Sequence, residues 1–421
     1  RLWLQLPDEM RRLHVSEQPT SGGAGDLRCS ARDRDRARVA LELTADPRER
    51  ATVHSPVGIY VHTPFCPSKC GYCDFNSYAM EGPIVERTVA AIVQEIRSSP
   101  WRGRPAKTIF FGGGTPTYLP EAGLLAILEA VLDTHPPIEN AEITSEANPG
   151  TVDTPKFRAM RQAGFNRISL GAQSFQPEDL LRLGRVHAAG HVGRAVGAAR
   201  DAGFENVNLD LMFALPGQSI RAWSQNLDLA LALRPEHLSL YCLTIEANTR
   251  FYKLHLRGML DLPDDEAQVA MYDRAIDRAA GAGYEAYEIS NFAREGLACR
   301  HNLGYWRGEE YLAYGPGAVG CFATPEGRQR YTNLKHPERY AAAVESGHVD
   351  WCDDESLDDD TIRFEKVMLG IRLTEGVDVS CVDPEGHLRM EACGWVEARD
   401  GRLRLTRAGR HFGNVVAAEL A

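Results

Sequence analysis

From residue 57 to residue 282 the chain repeats one unit, a short β-rich run followed by a helical stretch. The β-rich runs are GIYVH (58–62), KTIFF (107–111), AEITSE (141–146), RISLGA (167–172), NVNLDLM (206–212) and HLSLYCL (237–243). Helices are expected over 83–98, 119–133, 154–163, 188–202, 219–233 and 264–282. Repeated strand-then-helix units imply a parallel sheet with right-handed crossovers. Six such units make either an incomplete (β/α) barrel or an open doubly wound sheet. Polar and glycine residues stand at nearly every strand's C-terminal end, the rim on which barrels carry their sites, and this favours the barrel.

The flanks differ. Residues 1–52 hold the tract SGGAGD and the run ARDRDRAR without a sustained apolar period, so a mostly disordered extension is expected. Asp8, Glu9, Asp26, Asp33 and Asp35 interrupt its basic residues, against a transit peptide. The barrel is expected over 53–290, with YEAYEIS (284–290) as a possible extra strand. Residues 291–352 read as irregular, rich in aromatics, Gly and His, and DDESLDDD (353–360) as an acidic linker. Residues 353–421 carry an apolar helix near 361–371 and end in RLRLTRAGRHFGNVVAAEL, a strand, a turn and a helix. That pattern suggests a small winged-helix-like α+β module, read as a structural cap rather than a DNA reader. Lys+Arg 47 against Asp+Glu 58 gives −11, a poor field for nucleic acid. No apolar run approaches the ~20 residues of a membrane span.

Ten cysteines are too few for a disulfide scaffold in 421 residues. Three of them, Cys66, Cys70 and Cys73, crowd the segment HTPFCPSKCGYCDFNS (62–77) with spacing C-x3-C-x2-C, which reads as metal binding in a reducing compartment. One short loop of thiolates can hold three irons of a [4Fe–4S] cube and leave the fourth open. Zinc is the alternative; it wants four closed ligands, and only His62 stands near enough to supply the fourth. An open iron can be chelated by a ligand carrying an amine and a carboxylate. S-adenosylmethionine (SAM) has both, plus a sulfonium that accepts an electron from a reduced cluster. The second strand then runs into FFGGGTPT (110–117), where glycines let backbone approach a small ligand such as the methionine end of SAM. Glu146, Gln173 and Asp210 stand at later strand ends, with Met212 after Asp210 and Arg185 just past the fourth strand. A rim of this kind suits ribose hydroxyls, a carboxylate and an adenine better than isolated salt bridges do.

With these residues in view, the chain resembles the radical SAM superfamily, and more narrowly the HemN/HemW group related to oxygen-independent coproporphyrinogen III oxidase. The likeness covers GIYVHTPFCPSKCGYCDF, FFGGGTPT, ITSEANP, RISLGAQSF, LGRVH and NLDLMFALPGQ, in order, from about residue 57 to the end. It implies an α/β fold: an incomplete (β/α)6 radical SAM barrel with a winged-helix-like α+β module behind it. By position it implies Cys66, Cys70 and Cys73 as cluster ligands. It implies Tyr60, Gly113, Gly114, Thr115, Glu146, Gln173, Arg185, Asp210 and Met212 as SAM contacts. The oxidase carries a fourth cysteine where this chain has Phe75, in CGYCDF, which is the HemW pattern. HemW-type proteins are regarded as heme chaperones.

CRHNLGYWRG (299–308) carries an H-N-x-x-Y-W motif of the same group. His301 offers an imidazole for heme iron, and Tyr305 and Trp306 offer flat apolar surface for a macrocycle. The plainer alternative is a satisfied histidine with two core aromatics, and Cys299 is a rival ligand. The resemblance therefore implies a cytoplasmic heme chaperone with a [4Fe–4S] cluster and SAM, served by an electron donor and passing heme to an acceptor protein. The enzyme alternatives are coproporphyrinogen III oxidation and a radical SAM reaction on another substrate.

Overall fold

The computed structural model describes residues 55–421, apart from Val186 and Asp350. The expected disorder of residues 1–52 lies outside the described residues. Ser55–Ala421 forms one compact unit.

The first strand, β1 (Val57–Thr63), is buried over nearly its whole length, as a parallel strand covered on both faces should be. There follow α1 (Pro83–Arg97), β2 (Ala106–Gly113), α2 (Glu121–Thr134), β3 (Pro137–Ala147), α3 (Thr154–Ala163) and β4 (Arg167–Gln173). Then come α4 (Pro177–Leu183), α5 (Ala189–Asp201), β5 (Val207–Phe213), α6 (Ile220–Ala232), β6 (His237–Cys242), α7 (Arg250–His255) and α8 (Asp265–Gly281). All six expected strands and all six expected helices are present, with ends displaced by a few residues. Two short helices, α4 and α7, fall in segments where none was expected. Local chemistry sets the helix starts: Asp153 caps α3 through the Lys156 N–H at 2.9 Å, and Asp264 caps α8 through the Ala267 N–H at 2.8 Å.

Strands β1 to β6 lie side by side in sequence order and every neighbouring pair is parallel. A doubly wound sheet reverses its strand order at a switch point. Unbroken order with right-handed crossovers instead puts every helix on one face, which is a barrel-type winding. The winding does not close on itself, because β1 and β6 have other outer neighbours.

Residues read as irregular are in fact organised. After β7 (Glu285–Ala286), they carry β8 (Asn291–Ala293), α9 (Arg300–Trp306), β9 (Tyr311–Tyr314), β10 (Val319–Thr324), β11 (Gly327–Asn333) and α10 (Pro337–Glu345). YEAYEIS contributes only the two residues of β7. Strand β9 pairs parallel to β1, adding a seventh parallel strand, and on the other side β8 pairs antiparallel to β6 with β7 outermost. The acidic run read as a linker is mostly β12 (Trp351–Leu357), the outermost strand, antiparallel to β11. Arg330 of β11 holds it through Glu355 at 2.9 Å. Acidic side chains on an edge strand also discourage pairing with a further chain.

The C-terminal module comprises α11 (Asp359–Gly370), β13 (Val377–Asp378), α12 (Pro384–Ala392), β14 (Val396–Arg399), β15 (Arg402–Leu405), α13 (Arg407–Arg410) and α14 (Gly413–Leu420), with β13, β15 and β14 forming a separate small sheet. Its helices and small sheet make the expected α+β module. Among the described residues no helix is long and apolar enough to cross a membrane.

Candidate functional site

Alternate residues of a strand face opposite ways, and here the two faces differ sharply. Ile59, Val61, Ile109, Phe111, Ile168, Leu170, Leu209 and Leu211 join the core beneath the helices. Their neighbours Tyr60, His62, Gly112, Glu146, Ser169, Asp210 and Met212 face the interior of the partial barrel. Hydrogen bonds knit that polar face together. Asn208 donates to Asp210 at 2.7 Å and to the Ser169 hydroxyl at 2.7 Å, and its carbonyl lies 2.6 Å from His237 Nδ1. Burial pushes the Asp210 carboxyl up, and hydrogen bonds from Asn208 and Ser239 partly oppose it.

The cysteine loop leaves the end of β1 and is anchored on several sides. Cys66 N–H donates to Tyr78 O at 3.0 Å and Tyr78 N–H to Pro64 O at 2.7 Å, which closes the loop on itself. Lys69 reaches back to Ser77 Oγ at 2.9 Å. Gly71 N–H donates to Leu183 O at 3.1 Å, and Phe251 N–H donates to Gly71 O at 2.9 Å, so α4 and α7 grip the loop between them. Cys66 Sγ lies 3.5 Å from Thr115 Oγ1, and Cys70 Sγ accepts from Arg185 Nη1 at 3.7 Å. Cys70 and Cys73 border an apolar cluster of Tyr72, Leu183, Met212, Leu215, Leu243 and Phe251. Among the described residues, no three His, Cys, Asp or Glu side chains converge as the ligands of a single ion do.

His62, the nearest candidate for a fourth zinc ligand, is engaged elsewhere. Its Nε2 donates to Asn76 O at 2.9 Å and its Nδ1 lies 3.0 Å from the Tyr60 hydroxyl. Burial lowers its pKa to about 4, so the ring is neutral.

The glycine run locks under this loop. Gly113 has φ +103°, and a Cβ there would stand 2.4 Å from His62 Cε1. A Cβ on Gly114 would stand 2.5 Å from Phe65 O. Gly114 N–H donates to Thr63 O at 2.8 Å and Thr115 N–H to Phe65 O at 2.7 Å. The N–H groups of the motif are thus engaged with the cysteine loop. An ammonium group, which only donates, would take carbonyls here.

The other rim positions surround the same space. A Cβ on Gly112 would come within 3.2 Å of both Glu146 Oε2 and the Tyr60 ring, so these three meet. Gln173 sits at φ +63°, where the β4–β5 register slips between Gly171 and Gln173; such a bulge re-aims a side chain. Arg185 Nη2 donates to Gly171 O at 2.6 Å, while its buried Nε has no partner among the described residues. Met212 packs in the apolar cluster beside Cys70 and Cys73.

The H-N-x-x-Y-W segment forms α9, inside the barrel below Tyr60. His301 is buried, with Nδ1 2.8 Å from Thr108 Oγ1 and Nε2 3.1 Å from the Tyr305 hydroxyl. Its ring stacks on Phe110 at 5.1 Å, and its pKa is lowered to about 3, chiefly by burial. Trp306 is buried as well. In this arrangement neither ring nitrogen of His301 is open to a ligand. Cys299 is equally enclosed, its thiol donating to Glu142 at 3.4 Å and pushed up to about 12 by burial.

Sequence reading missed the polar floor of the barrel. Glu142 of β3 accepts the Arg300 N–H at 2.9 Å and the His301 N–H at 3.1 Å, capping α9 from across the fold. Arg167, Ser169, Asn208, His237 and Ser239 complete that floor. The signal was present as polar residues two apart within otherwise apolar strands.

Residues 60–230 match the radical SAM superfamily, and residues 357–412 match the HemN C-terminal domain. Among solved structures, coproporphyrinogen III oxidase (HemN) from Escherichia coli, a radical SAM enzyme, superposes with a TM-score of 0.75. It is 21% identical, covering 90% of this chain and 95% of that one, and shows the fold. Barrel, cysteine loop and C-terminal module together define a radical SAM protein of the HemN architecture. The heme chaperone HemW of Mycobacterium tuberculosis is 35% identical, over 87% of this chain and 95% of its own length. HemW of Bacillus subtilis is 37% identical over 76% of this chain and 84% of its own, and HemW of E. coli 42% over 68% and 75%. The chain belongs to the HemW family.

Proposed function

We propose that this protein is a cytoplasmic heme chaperone that carries a [4Fe–4S] cluster and SAM and delivers heme to an acceptor protein. The observation that carries this reading is Phe75, half-exposed in the cysteine loop at the place of the oxidase's fourth cysteine, in a chain whose relatives over most of its length are named heme chaperones.

Cys66, Cys70 and Cys73 would hold the cluster. Their chemistry fits: burial raises the Cys66 thiol, so a thiolate there calls for a cationic partner. Gly113, Gly114 and Thr115 would present backbone to the amino-acid end of SAM, with Tyr60, Glu146, Gln173, Arg185, Asp210 and Met212 around the rest. The unpartnered Arg185 Nε supports this, since a buried donor without a partner is costly and a bound carboxylate or sulfur would satisfy it. When bound, the pair supplies one-electron chemistry at the SAM sulfonium. The protein's own part is to hold SAM over the cysteine loop and to close the barrel beneath it with α9, so that water is excluded from below.

The test is an anaerobic incubation of the reconstituted protein with SAM, a reductant and coproporphyrinogen III, beside a parallel hemin titration. Saturable hemin uptake without protoporphyrinogen formation is expected. Stoichiometric decarboxylation at turnover rates would assign the oxidase activity instead.

A further inference from the structure

The rim beside the cysteine loop carries a surface that neither the cluster nor the SAM pocket uses. Helix α7 faces inward with Phe251 and Leu254, which pack in the apolar cluster around Cys70 and Cys73. Its outer side is not a solvated polar face. Tyr252 is 36% exposed, Leu256 68% and Met259 64%, and His255 stands among them, also exposed. Tyr252, His255 and Leu256, the last capping the helix, fall on one side of it. Gly258, at φ +65°, ends the turn: Gly258 N–H donates to His255 O at 2.9 Å and Met259 N–H to Leu254 O at 2.9 Å. That closure folds Met259 back toward the helix. Leu181 of α4, 81% exposed, extends the apolar surface on the other side of the loop that α4 and α7 grip.

The same segment is cationic. TRFYKLHLRGML (249–260) contains Arg250, Lys253, Arg257 and His255 and no acidic residue, within a chain of net charge −11. Arg250, Lys253, His255 and Arg257 are exposed, and among the described residues none has a side-chain hydrogen bond or ion pair. Cations flanking exposed leucine and methionine complement an apolar ligand with anionic edges. The imidazole adds the third requirement of one such ligand, a nitrogen for a metal.

We propose that heme docks on this face of α7. The macrocycle lies on Tyr252, Leu256 and Met259, its two propionates meet Arg250, Lys253 and Arg257, and His255 ligates the iron. Met259 lies beyond the helix end, past Gly258, and supplies apolar surface rather than a second ligand. With His255 as the one ligand this face offers, an acceptor's own ligand could reach the iron before His255 leaves. Phe251 N–H on Gly71 O ties this helix to the cysteine loop, so heme rests beside the cluster. The proposal rests on the heme-chaperone reading and places the iron ligand away from buried His301.

The experiment titrates the cluster-loaded protein with hemin and with metal-free protoporphyrin IX, following the Soret band. It compares wild type with His255→Ala, with His301→Ala, and with Arg250→Gln/Lys253→Gln/Arg257→Gln. All the first and third sets of changes are at exposed positions, and retained iron–sulfur absorbance confirms folding. Expected for His255→Ala is at least a tenfold loss of hemin affinity with a changed Soret position, and unchanged protoporphyrin binding. The triple variant should weaken both porphyrins. Hemin binding by His255→Ala with wild-type affinity and spectrum overturns the proposal and leaves the chaperone reading standing. A wild-type protein that takes up no hemin overturns both.

Discussion

Replacing Gly113 with alanine should dismantle the junction between the glycine run and the cysteine loop. The backbone there has φ +103°, a region costing an L-residue about 1–2 kcal/mol. The new Cβ would also sit 2.4 Å from His62 Cε1 and 2.5 Å from Nδ1. His62 cannot stay, and its contacts with the Asn76 carbonyl and the Tyr60 hydroxyl go with it. Leaving buried polar groups unsatisfied costs about 1–3 kcal/mol each. The sum is roughly 3–8 kcal/mol, a large part of a typical domain's stability. Asn76 also donates to Pro316 O and Lys335 O, each at 2.9 Å, so the disturbance reaches the loop after β9. Urea unfolding followed by circular dichroism measures the loss, and iron and sulfide analysis after anaerobic reconstitution measures cluster retention. Gly112→Ala is the control. Its Cβ meets side chains at 3.0–3.2 Å, including the Tyr60 ring and Glu146, so it should disturb SAM binding more than stability. A Gly113→Ala protein destabilised by less than about 1 kcal/mol and fully loaded with iron would refute the reasoning.

Three further outcomes are expected. Glu142→Ala uncaps α9 by freeing the Arg300 and His301 N–H groups, and should cost about 2–4 kcal/mol in urea melts; a neutral change would show that the floor is held otherwise. Glu95 is buried between Asn333, Tyr340 and Gly315, and burial raises its carboxyl from 4.5 to about 7. A folded-state pKa above the unfolded one stabilises fully below pH ~4.5 and is lost as pH rises through ~7, so wild type should lose roughly 3 kcal/mol relative to Glu95→Gln between those limits; parallel pH–stability curves for the two proteins would contradict this. Gly409→Ala places a Cβ 1.8 Å from Trp395 O and should loosen the C-terminal module, read as new proteolysis within residues 371–421; unchanged proteolysis would show that this contact does not hold the module.

What could be read from the sequence was whatever announced itself locally. The strands of the barrel are buried runs, its long helices have period and caps, and three cysteines in eight residues need no fold to be noticed. What escaped depends on partners far along the chain. RHNLGYW is helical because Glu142, more than 150 residues earlier, caps it. The run DDES is a strand because Arg330 and the β11 backbone hold it, against the low strand preference of Asp and Glu. His62 and His301 look alike as free imidazoles in sequence. Only the structure shows that Asn76, Tyr60, Thr108 and Tyr305 already engage their nitrogens. The helix α7 went unnoticed because its apolar residues lie on both faces, which blurs the period.

The most direct test of a heme-carrying role is a spectrophotometric hemin titration of the anaerobically reconstituted, SAM-loaded protein. A Soret change saturating at about one heme per chain is the expected result. A response that rises without saturation, or none at all, would contradict it.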